Sequence, residues 1–210
     1  MCNAKPVRVE IVSKKGTFIC IEGLDGCGKT TQAKLLVKKL QKSHKAVYTA
    51  EPSRGKIGVF IRENCLYGEK RVSSAVEALL FAADRVDHIE NEVRPALNAG
   101  KLVVSDRYVY SSLAYQGATG LSLDWIEGIN AHALRPDLAI FLDVAPNTVM
   151  QRLKHKKSVM ETLETQKKVR EFYLKFVEKG ALVRIDGNKT KEGVTEALLA
   201  VVLNFLASFQ

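Results

Sequence analysis

A chain of 210 residues, 46% hydrophobic and 26% charged, has the length and composition of one ordinary globular domain. No apolar run reaches membrane-spanning length, no signal-peptide pattern opens the chain and the cysteines form no CxxC pair, so we expect a cytoplasmic protein without membrane contact. The net charge of +9 fits attraction either to nucleic acid or to small phosphorylated substrates, and the even spread of Lys and Arg favours the second.

Apolar runs and helical periodicities alternate along the chain after a polar segment at 1–15, which we interpret as an extension or a weak edge strand. The apolar runs predict five strands, at 18–21, 46–50, 102–105, 138–144 and 182–185. The first helix is predicted to end near 41, the second to span 56–66, and a long third helix to run from an N-cap at Ser73 to about 98. After the third strand, further helices are predicted up to about 134. The remaining predicted helices span 147–154 and 160–179 and include 194–205. The alternation predicts an α/β fold whose five-stranded parallel sheet is flanked by helices on both faces, as one domain over 1–210.

The segment between the first strand and the first helix matches the phosphate-binding pattern GxxxxGK[ST] in full, from Gly23 to Thr30. Its glycines let the backbone approach a phosphate, and the following helix adds its dipole to the attraction. Lys29 would neutralise the β- and γ-phosphates, and the Thr30 hydroxyl would ligate Mg²⁺. A glycine turn without a ligand is the alternative. The predicted nucleoside triphosphate site consists of Gly23, Leu24, Asp25, Gly26, Cys27, Gly28, Lys29, Thr30 and Thr31.

Polar side chains follow three of the predicted strands at the point where each strand ends. They are Asp25, Glu51, Arg54, Asp106 and Arg107. In a parallel sheet the carboxyl ends of the strands meet at one edge, where ligands bind. Each residue alone could be a loop salt bridge or a cap, but five of them beside a phosphate loop predict a site.

The long helix that begins near Ser73 carries an apolar stripe, which predicts a core-facing side. The stripe consists of Val76, Leu79, Leu80, Ala83, Val86, Val93 and Leu97. Phe81 falls nearly opposite this stripe, on the same side as Glu77, Arg85 and His88. The Phe81 ring either packs against a second element or stacks on a flat ligand, whose edge Arg85 would then hydrogen-bond.

Several segments together resemble the thymidylate kinase (dTMP kinase) family. They are FICIEGLDGCGKTTQ, EPSRGKIG, LLFAADRVDHIENEVRPAL, SDRYVYSSLAYQGA, RPDLAIFLDVAP and IDGNKT, and the resemblance covers Thr17 to about Val194. It implies a P-loop fold, phosphorylation of dTMP to dTDP with ATP and Mg²⁺, and a homodimer formed through helices.

The resemblance also implies a role for each residue that would hold the base and sugar. Phe81 would stack on the thymine and Arg85 would bond its carbonyl edge. Ser112 and Gln116 would line the base or sugar pocket. Tyr115 would press on the sugar and discriminate against a 2′-hydroxyl.

The resemblance assigns the phosphates to a second group of residues. Arg107 would hold the dTMP phosphate with help from Arg54, and Asp25 would bond the 3′-hydroxyl near the transferred group. Asp106 would orient Mg²⁺ or its waters, together with Thr30. Glu51 completes the predicted substrate site, and the predicted catalytic residues are Lys29, Asp25, Arg107 and Arg152.

The chain departs from the family at the positions that supply charge to the transferred phosphoryl group. Some members carry an arginine in the phosphate loop where this chain has Gly26, and others carry arginines in a lid. Here the lid region, at 154–159, is short and lysine-rich, with Arg152 as the arginine beside it. The candidate cations are therefore Arg152, Lys154, Lys156 and Lys157, with Arg54 next, and the alternative is that the lysines only form a solvated surface.

Other functions stay open at this point. The chain could phosphorylate a different nucleoside monophosphate or a deoxynucleoside, or it could be a P-loop ATPase stimulated by nucleic acid. A GTPase switch is disfavoured, because the segment 188–191, NKTK, lacks the aspartate of the guanine-reading NKxD pattern. We expect dTMP and ATP as partners and no nucleic acid.

Overall fold

A single parallel sheet lies at the centre of the fold in the computed structural model, which describes residues 16–66, 72–153 and 162–208. Its order is β2-β3-β1-β4-β5, so the central position belongs to the strand that precedes the phosphate loop. The strands are β1 (Thr17–Glu22), β2 (Ala46–Ala50), β3 (Leu102–Asp106), β4 (Leu138–Asp143) and β5 (Val183–Asp186). Strands β3 and β4 are buried along their whole length, as apolar strands covered on both faces must be.

Nine α-helices among the described residues connect and cover these strands. They are α1 (Lys29–Leu40), α2 (Lys56–Ile61), α3 (Ser74–His88), α4 (Arg94–Asn98), α5 (Val109–Ala118), α6 (Leu123–Ile129), α7 (Pro146–Arg152), α8 (Leu163–Glu178) and α9 (Lys191–Ala207). Helix α1 packs against α9, and α5 packs against α8. Within the described ranges, no helix has both the length and the apolar character needed to cross a membrane.

The predicted α/β architecture is confirmed, and the element boundaries differ by a few residues. The helix predicted over 56–66 is α2 followed by a π-helical turn at Arg62–Leu66. The long helix predicted from Ser73 does have that residue as its N-cap, since the Ser73 hydroxyl accepts from the Val76 N–H. The extension predicted at 1–15 and the lid predicted at 154–159 lie outside the described residues.

The predicted core stripe of the long helix is wrong over α3. Val76, Leu79 and Val86 are 44%, 50% and 39% exposed, whereas Glu77 and Arg85 on the opposite side are buried. A π-helical turn at Ile89–Val93 separates α3 from α4, and its extra residue per turn shifts the helical phase. Stripe positions before and after this turn therefore do not share a face, and the buried Val93 and Leu97 follow it.

The loop after β2 is anchored to α3 by a buried carboxylate. The backbone N–H and the hydroxyl of Ser53 donate to Asp84, over 2.7 and 2.6 Å. Helix α2 then passes so close that a Cβ on Gly58 would lie 2.1 Å from the Ser53 carbonyl oxygen. A glycine at this position is therefore a packing requirement that keeps the loop at the sheet edge.

We predict that Gly58→Ala lowers the free energy of unfolding by about 1–3 kcal/mol, because the added methyl group meets backbone that cannot move alone. Gly128→Ala is the matched control: Gly128 also lies in a helix, and a Cβ there meets nothing within 4 Å. The control should change stability by less than about 1 kcal/mol. Urea unfolding of both variants measures the difference, and equal stabilities would contradict the packing argument.

Candidate active site

Two adjoining pockets lie at the carboxyl edge of the sheet. One is formed by the phosphate loop and the start of α1, and is lined by Asp25, Gly26, Gly28, Lys29, Thr30, Thr31, Asp106 and Arg107. The other lies between α3 and α5 and contains Phe81, Arg85 and Gln116. Asp25 and Arg107 line both pockets, so these two residues mark the place where the pockets meet.

The phosphate loop is shaped by backbone that favours glycine. Gly26 and Gly28 have φ angles of 78° and 100°, in the left-handed region. Gly28 is the N-cap of α1, so the first N–H groups of that helix open onto the pocket. The Lys29 ammonium donates to the Leu24 carbonyl oxygen over 2.7 Å, which holds it against the loop. The side chains of Leu24 and Cys27 are buried in the core, so only their backbone can serve a phosphate.

Thr30 and Asp106 form a set of oxygen atoms beside the phosphate loop. The Thr30 hydroxyl donates a short hydrogen bond to Asp106 Oδ2. The other carboxylate oxygen, Oδ1, is buried and has no hydrogen-bond partner among the described residues. No cluster of three or more His, Cys, Asp or Glu side chains in the described ranges could hold a metal. Mg²⁺ is commonly held by one or two carboxylates together with substrate phosphates and waters, so this pair fits it.

Arg107 is held in an unusual conformation at the junction of the two pockets. Its φ angle of 73° lies in the left-handed region, which costs a non-glycine residue about 1–3 kcal/mol and is seen mostly at functional sites. The guanidinium donates to Asp25 through a short ion pair and to the Ser111 hydroxyl over 3.0 Å, and it lies 5.1 Å above the Tyr115 ring. The Tyr115 hydroxyl in turn accepts from the Asp25 N–H over 2.9 Å.

A second carboxylate, Glu22, lies beneath this junction and was missed from the sequence. It accepts from the Tyr108 N–H over 2.9 Å, from the Ser111 hydroxyl over 2.6 Å and from the Tyr173 hydroxyl over 3.2 Å. Burial raises the pKa of Glu22, although these hydroxyls and Arg107 oppose the shift. Its role in the structure is to join β1 to the start of α5 and to α8. A lone acidic residue that ends a buried apolar strand was the available signal.

The second pocket is organised by Arg85, which is only 1% exposed. Its Nε and Nη2 donate to Glu51 Oε2 over 3.0 and 2.7 Å, and Nη2 also donates to the Ser112 hydroxyl over 3.1 Å. Nη1 donates a short hydrogen bond to the Asn130 side chain. A guanidinium has five N–H donors, so one donor on Nη1 has no partner among the described residues.

Glu51 is itself fixed from behind by a buried histidine. Its Oε1 lies 3.3 Å from His88 Nδ1, and His88 Nε2 lies 2.5 Å from the Thr49 hydroxyl. Thr49 donates onward to Glu92 over 2.9 Å. The chain of contacts therefore runs from Arg85 to the protein surface. Its members past Glu51, and Asn130 beside Arg85, were not predicted as site residues.

Eight of the nine predicted substrate residues line the second pocket: Asp25, Glu51, Phe81, Arg85, Arg107, Ser112, Tyr115 and Gln116. The ninth, Arg54, is exposed and lines neither pocket, so the structure does not bring it to the others. The loop that carries Arg54 is instead drawn to α3 through Ser53.

Arg152 lies beside the phosphate loop, where its Nη1 donates to the Cys27 carbonyl oxygen over 3.4 Å. The neighbouring Leu153 occupies the space above Gly26, because a Cβ at Gly26 would meet Leu153 Cγ at 2.9 Å. A side chain at that position of the loop would have to displace Leu153, and the left-handed backbone of Gly26 disfavours one as well. The predicted cations Lys154, Lys156 and Lys157 lie outside the described residues.

The central strand of the parallel sheet leads through a glycine loop to a helix N-terminus, and a polar and aromatic pocket lies beside that loop. This combination is that of a P-loop phosphotransferase for a small phosphorylated molecule.

Comparison with known proteins agrees with this class. A family model described as "Thymidylate kinase" matches residues 21–198, and the chain belongs to this family. A probable thymidylate kinase of Thermococcus gammatolerans is 45% identical over 181 residues, which cover 81% of this chain and 87% of the relative. One of Pyrococcus abyssi is 45% identical over 197 residues, 90% and 96% of the two chains. One of Methanococcus maripaludis is 48% identical over 161 residues, 76% and 77% of the two chains.

We predict that Asp25→Asn lowers the free energy of unfolding at neutral pH, and that this effect becomes smaller in acid. Burial opposes ionisation of Asp25, but the Arg107 guanidinium and then Lys29 outweigh it and hold the pKa of Asp25 below its ordinary value. A lowered carboxyl pKa stabilises the fold above the unfolded pKa of about 3.9, and this stabilisation is lost as pH falls through the folded value.

The difference in unfolding free energy between wild type and Asp25→Asn should therefore be about 1 kcal/mol at pH 7 and should shrink toward pH 3. Urea unfolding at several pH values measures it. A difference that is the same at every pH would mean that the ion pair with Arg107 does not set the pKa of this carboxyl group.

Proposed function

We propose that this protein transfers the γ-phosphoryl group of ATP to dTMP, giving ADP and dTDP, and that Mg²⁺ is required. Membership of the thymidylate kinase family supports the reaction. The observation that carries the assignment to these residues is the sharing of Asp25 and Arg107 by the phosphate-loop pocket and the aromatic pocket. A donor phosphate in the first pocket and an acceptor phosphate in the second would meet between these side chains.

The donor is bound by the phosphate loop in this proposal. The backbone N–H groups of Gly28, Lys29, Thr30 and Thr31 at the start of α1, together with the helix dipole, hold the phosphates, and Lys29 places its charge against them. Mg²⁺ would be held by the Thr30 and Asp106 oxygens, and when bound it neutralises charge on the β- and γ-phosphates. The protein needs no covalent nucleophile, because phosphoryl transfer is accelerated mainly by positioning and by electrostatic stabilisation.

The acceptor is bound by the residues of the second pocket. Phe81 stacks on the thymine, and the remaining Nη1–H of Arg85 donates to its carbonyl edge, with Ser112 and Gln116 beside it. Tyr115 lies against the sugar, where its hydroxyl is fixed by the Asp25 N–H. Arg107 holds the acceptor phosphate, and Asp25 bonds the 3′-hydroxyl.

The cation that meets the transferred group is assigned to the end of α7 and the lid that follows. Arg152 is supported by its contact with the Cys27 carbonyl oxygen in the phosphate loop. Lys154, Lys156 and Lys157 are further candidates in a lid at 154–159, within a kinase domain that spans the whole chain. Arg152 and Arg54 are both exposed and line neither pocket, but Arg54 makes no hydrogen bond to the phosphate loop among the described residues, which makes it the weaker candidate.

We predict that the purified protein converts dTMP and ATP to dTDP and ADP only when Mg²⁺ is present. Lys29→Ala should lower kcat by about 10²-fold or more, as for loss of a preorganised charge donor. Lys38→Ala, an exposed lysine on the same helix, should retain wild-type kcat. The assay follows the products with a panel of nucleoside monophosphates and, separately, with DNA.

Each outcome of this assay decides one point. Near-normal turnover by Lys29→Ala would contradict the role of that lysine. If another monophosphate is phosphorylated in preference to dTMP, that monophosphate is the substrate. ATP hydrolysis that needs DNA and no monophosphate would establish the nucleic-acid ATPase instead.

The protein is proposed to form a homodimer through α2 and α3, which pack against each other. Nine large hydrophobic side chains are exposed among the described residues, and five of them lie on these two helices: Val59, Phe60, Val76, Leu79 and Val86. Such a concentration of exposed apolar groups is typical of an interface. A second copy of the chain is the occupant that family resemblance indicates.

We predict that Leu79→Glu makes the protein monomeric, because a charge in an apolar interface loses its hydration without gaining a partner. Leu203→Glu is the control, since Leu203 is 40% exposed on the distant α9. Analytical ultracentrifugation at micromolar concentration measures the mass of each variant. A wild type that is already monomeric, or a Leu79→Glu variant that stays dimeric, would exclude this interface.

A cytoplasmic location is proposed as well. Cys20 and Cys27 are buried as thiols outside any disulfide, which fits a reducing compartment. Burial raises the pKa of the Cys27 thiol, so it is protonated at neutral pH and does not add a negative charge to the phosphate loop.

A further inference from the structure

A buried carboxylate contacts the amide that lines the base pocket. Glu77 and Gln116 are 2% and 3% exposed, and both line the pocket together with Phe81 and Arg85. Gln116 Nε2 lies 3.1 Å from Glu77 Oε1. The other polar atom of the amide, Gln116 Oε1, is buried and has no hydrogen-bond partner among the described residues.

The contact fixes which way the Gln116 amide faces. An ionised carboxylate only accepts hydrogen bonds, so the amide atom toward Glu77 must be the nitrogen. Turning the amide over would bring Oε1 against the carboxylate, and two acceptors would then face each other in a buried place. Gln116 therefore keeps its oxygen as an acceptor and the second N–H of Nε2 as a donor, and because it lines the pocket these are the groups that it can offer to a ligand there.

Pyrimidine bases differ in the pattern that this amide would meet. Thymine presents a donor at N3–H beside an acceptor at O4, which complements the oxygen and the N–H of a glutamine amide. Cytosine presents an acceptor at N3 beside a donor at its 4-amino group, which demands the opposite orientation. An amide that is free to turn serves both bases, and one that is held in place serves only the first.

We propose that Glu77 is a specificity-determining residue, which locks the Gln116 amide in the orientation that accepts thymine and rejects cytosine. This inference rests on the proposed function, in which the base of the monophosphate lies between Phe81 and Gln116. Glu77 acts through Gln116 and is a positioning residue, not a catalytic one. Arg85 adds a second, independent preference, since its remaining N–H favours a carbonyl over an amino group at the same edge of the base.

The placement of Glu77 on α3 supports this role. Glu77, Phe81 and Arg85 follow one another at intervals of four residues, so they lie on successive turns of one helix face. That face is the buried one, although it is the polar face of the helix. A carboxylate at this depth is kept only where it has partners, and Gln116 is a partner that lines the ligand pocket.

The test is the ratio of kcat/KM for dTMP to that for dCMP in wild type and in Glu77→Gln. The new amide can donate to Gln116 Oε1, so both orientations of Gln116 become acceptable. We expect the ratio to fall about tenfold, with part of the preference kept by Arg85. Glu90→Gln removes the same charge from an exposed position in the π-helical turn that follows α3 and should leave the ratio unchanged.

A double-mutant cycle separates amide orientation from general damage to the pocket. In a Gln116→Met background there is no amide to orient, so adding Glu77→Gln should no longer alter the dTMP to dCMP ratio. If Glu77→Gln yields little folded protein, Glu77→Met replaces it, since loss of the acceptor also frees the amide and should move the ratio the same way.

The outcomes distinguish this inference from the proposed function. A wild type that does not phosphorylate dTMP overturns the proposed function. A wild type that does so, with an unchanged dTMP to dCMP ratio in the folded Glu77 variant, overturns the inference about Glu77 alone. An equal fall of the ratio in the Gln116→Met background would also overturn it, because the effect would not pass through the amide.

Discussion

The buried ion pair between Arg85 and Glu51 is the interaction on which the pocket between α3 and α5 depends. The two groups lie 2.7 Å apart, and their side chains are 1% and 3% exposed. Removing one partner from such a pair leaves a buried charge and costs about 3–5 kcal/mol. A substitution of Arg85 therefore tests stability as well as the proposed contact with the base, and a raised KM alone does not separate the two. Asn130, Ser112 and His88 hold the pair from three directions, so the remaining donor of Arg85 is fixed before a ligand arrives.

The need for buried polar groups in this pocket also explains why α3 buries its polar face and exposes its apolar face. Helical periodicity predicts a core from apolar positions because an apolar face usually packs inside its own domain. Here the inner face carries the charged and aromatic groups that line a pocket, and the apolar face of Val76, Leu79 and Val86 is left outside. The interior must be polar where a polar ligand binds, and the exposed apolar face then needs a different cover. One helix thus serves both the site and the proposed interface.

Sequence patterns predicted what depends on local order along the chain. The strands, the glycine loop and the residues at strand ends followed from short-range rules, whereas Ser112, Tyr115 and Gln116 were implied by the family resemblance. Eight of the nine predicted substrate residues do line one pocket. What the sequence did not predict depends on distant pairing. Asn130 reaches Arg85 across 45 positions, at a spot set by the turns around α6. Arg54 lies beside Ser53, yet the anchoring of Ser53 to Asp84 leaves it outside the pockets.

The two pockets are joined by Asp25 and Arg107, which are paired with each other. Arg107 donates from one terminal nitrogen to Ser111 and from the other to Asp25, and its guanidinium has five N–H groups in all. These two contacts leave N–H groups of the guanidinium over, and in the proposed function they hold the acceptor phosphate while the carboxylate stays paired. The left-handed backbone of Arg107, tied by its N–H to the Ile21 carbonyl oxygen, points the side chain from the end of β3 toward the phosphate loop of β1. A junction held by these contacts suits the proposed phosphoryl transfer, because donor and acceptor must be held in one alignment while charge moves between them.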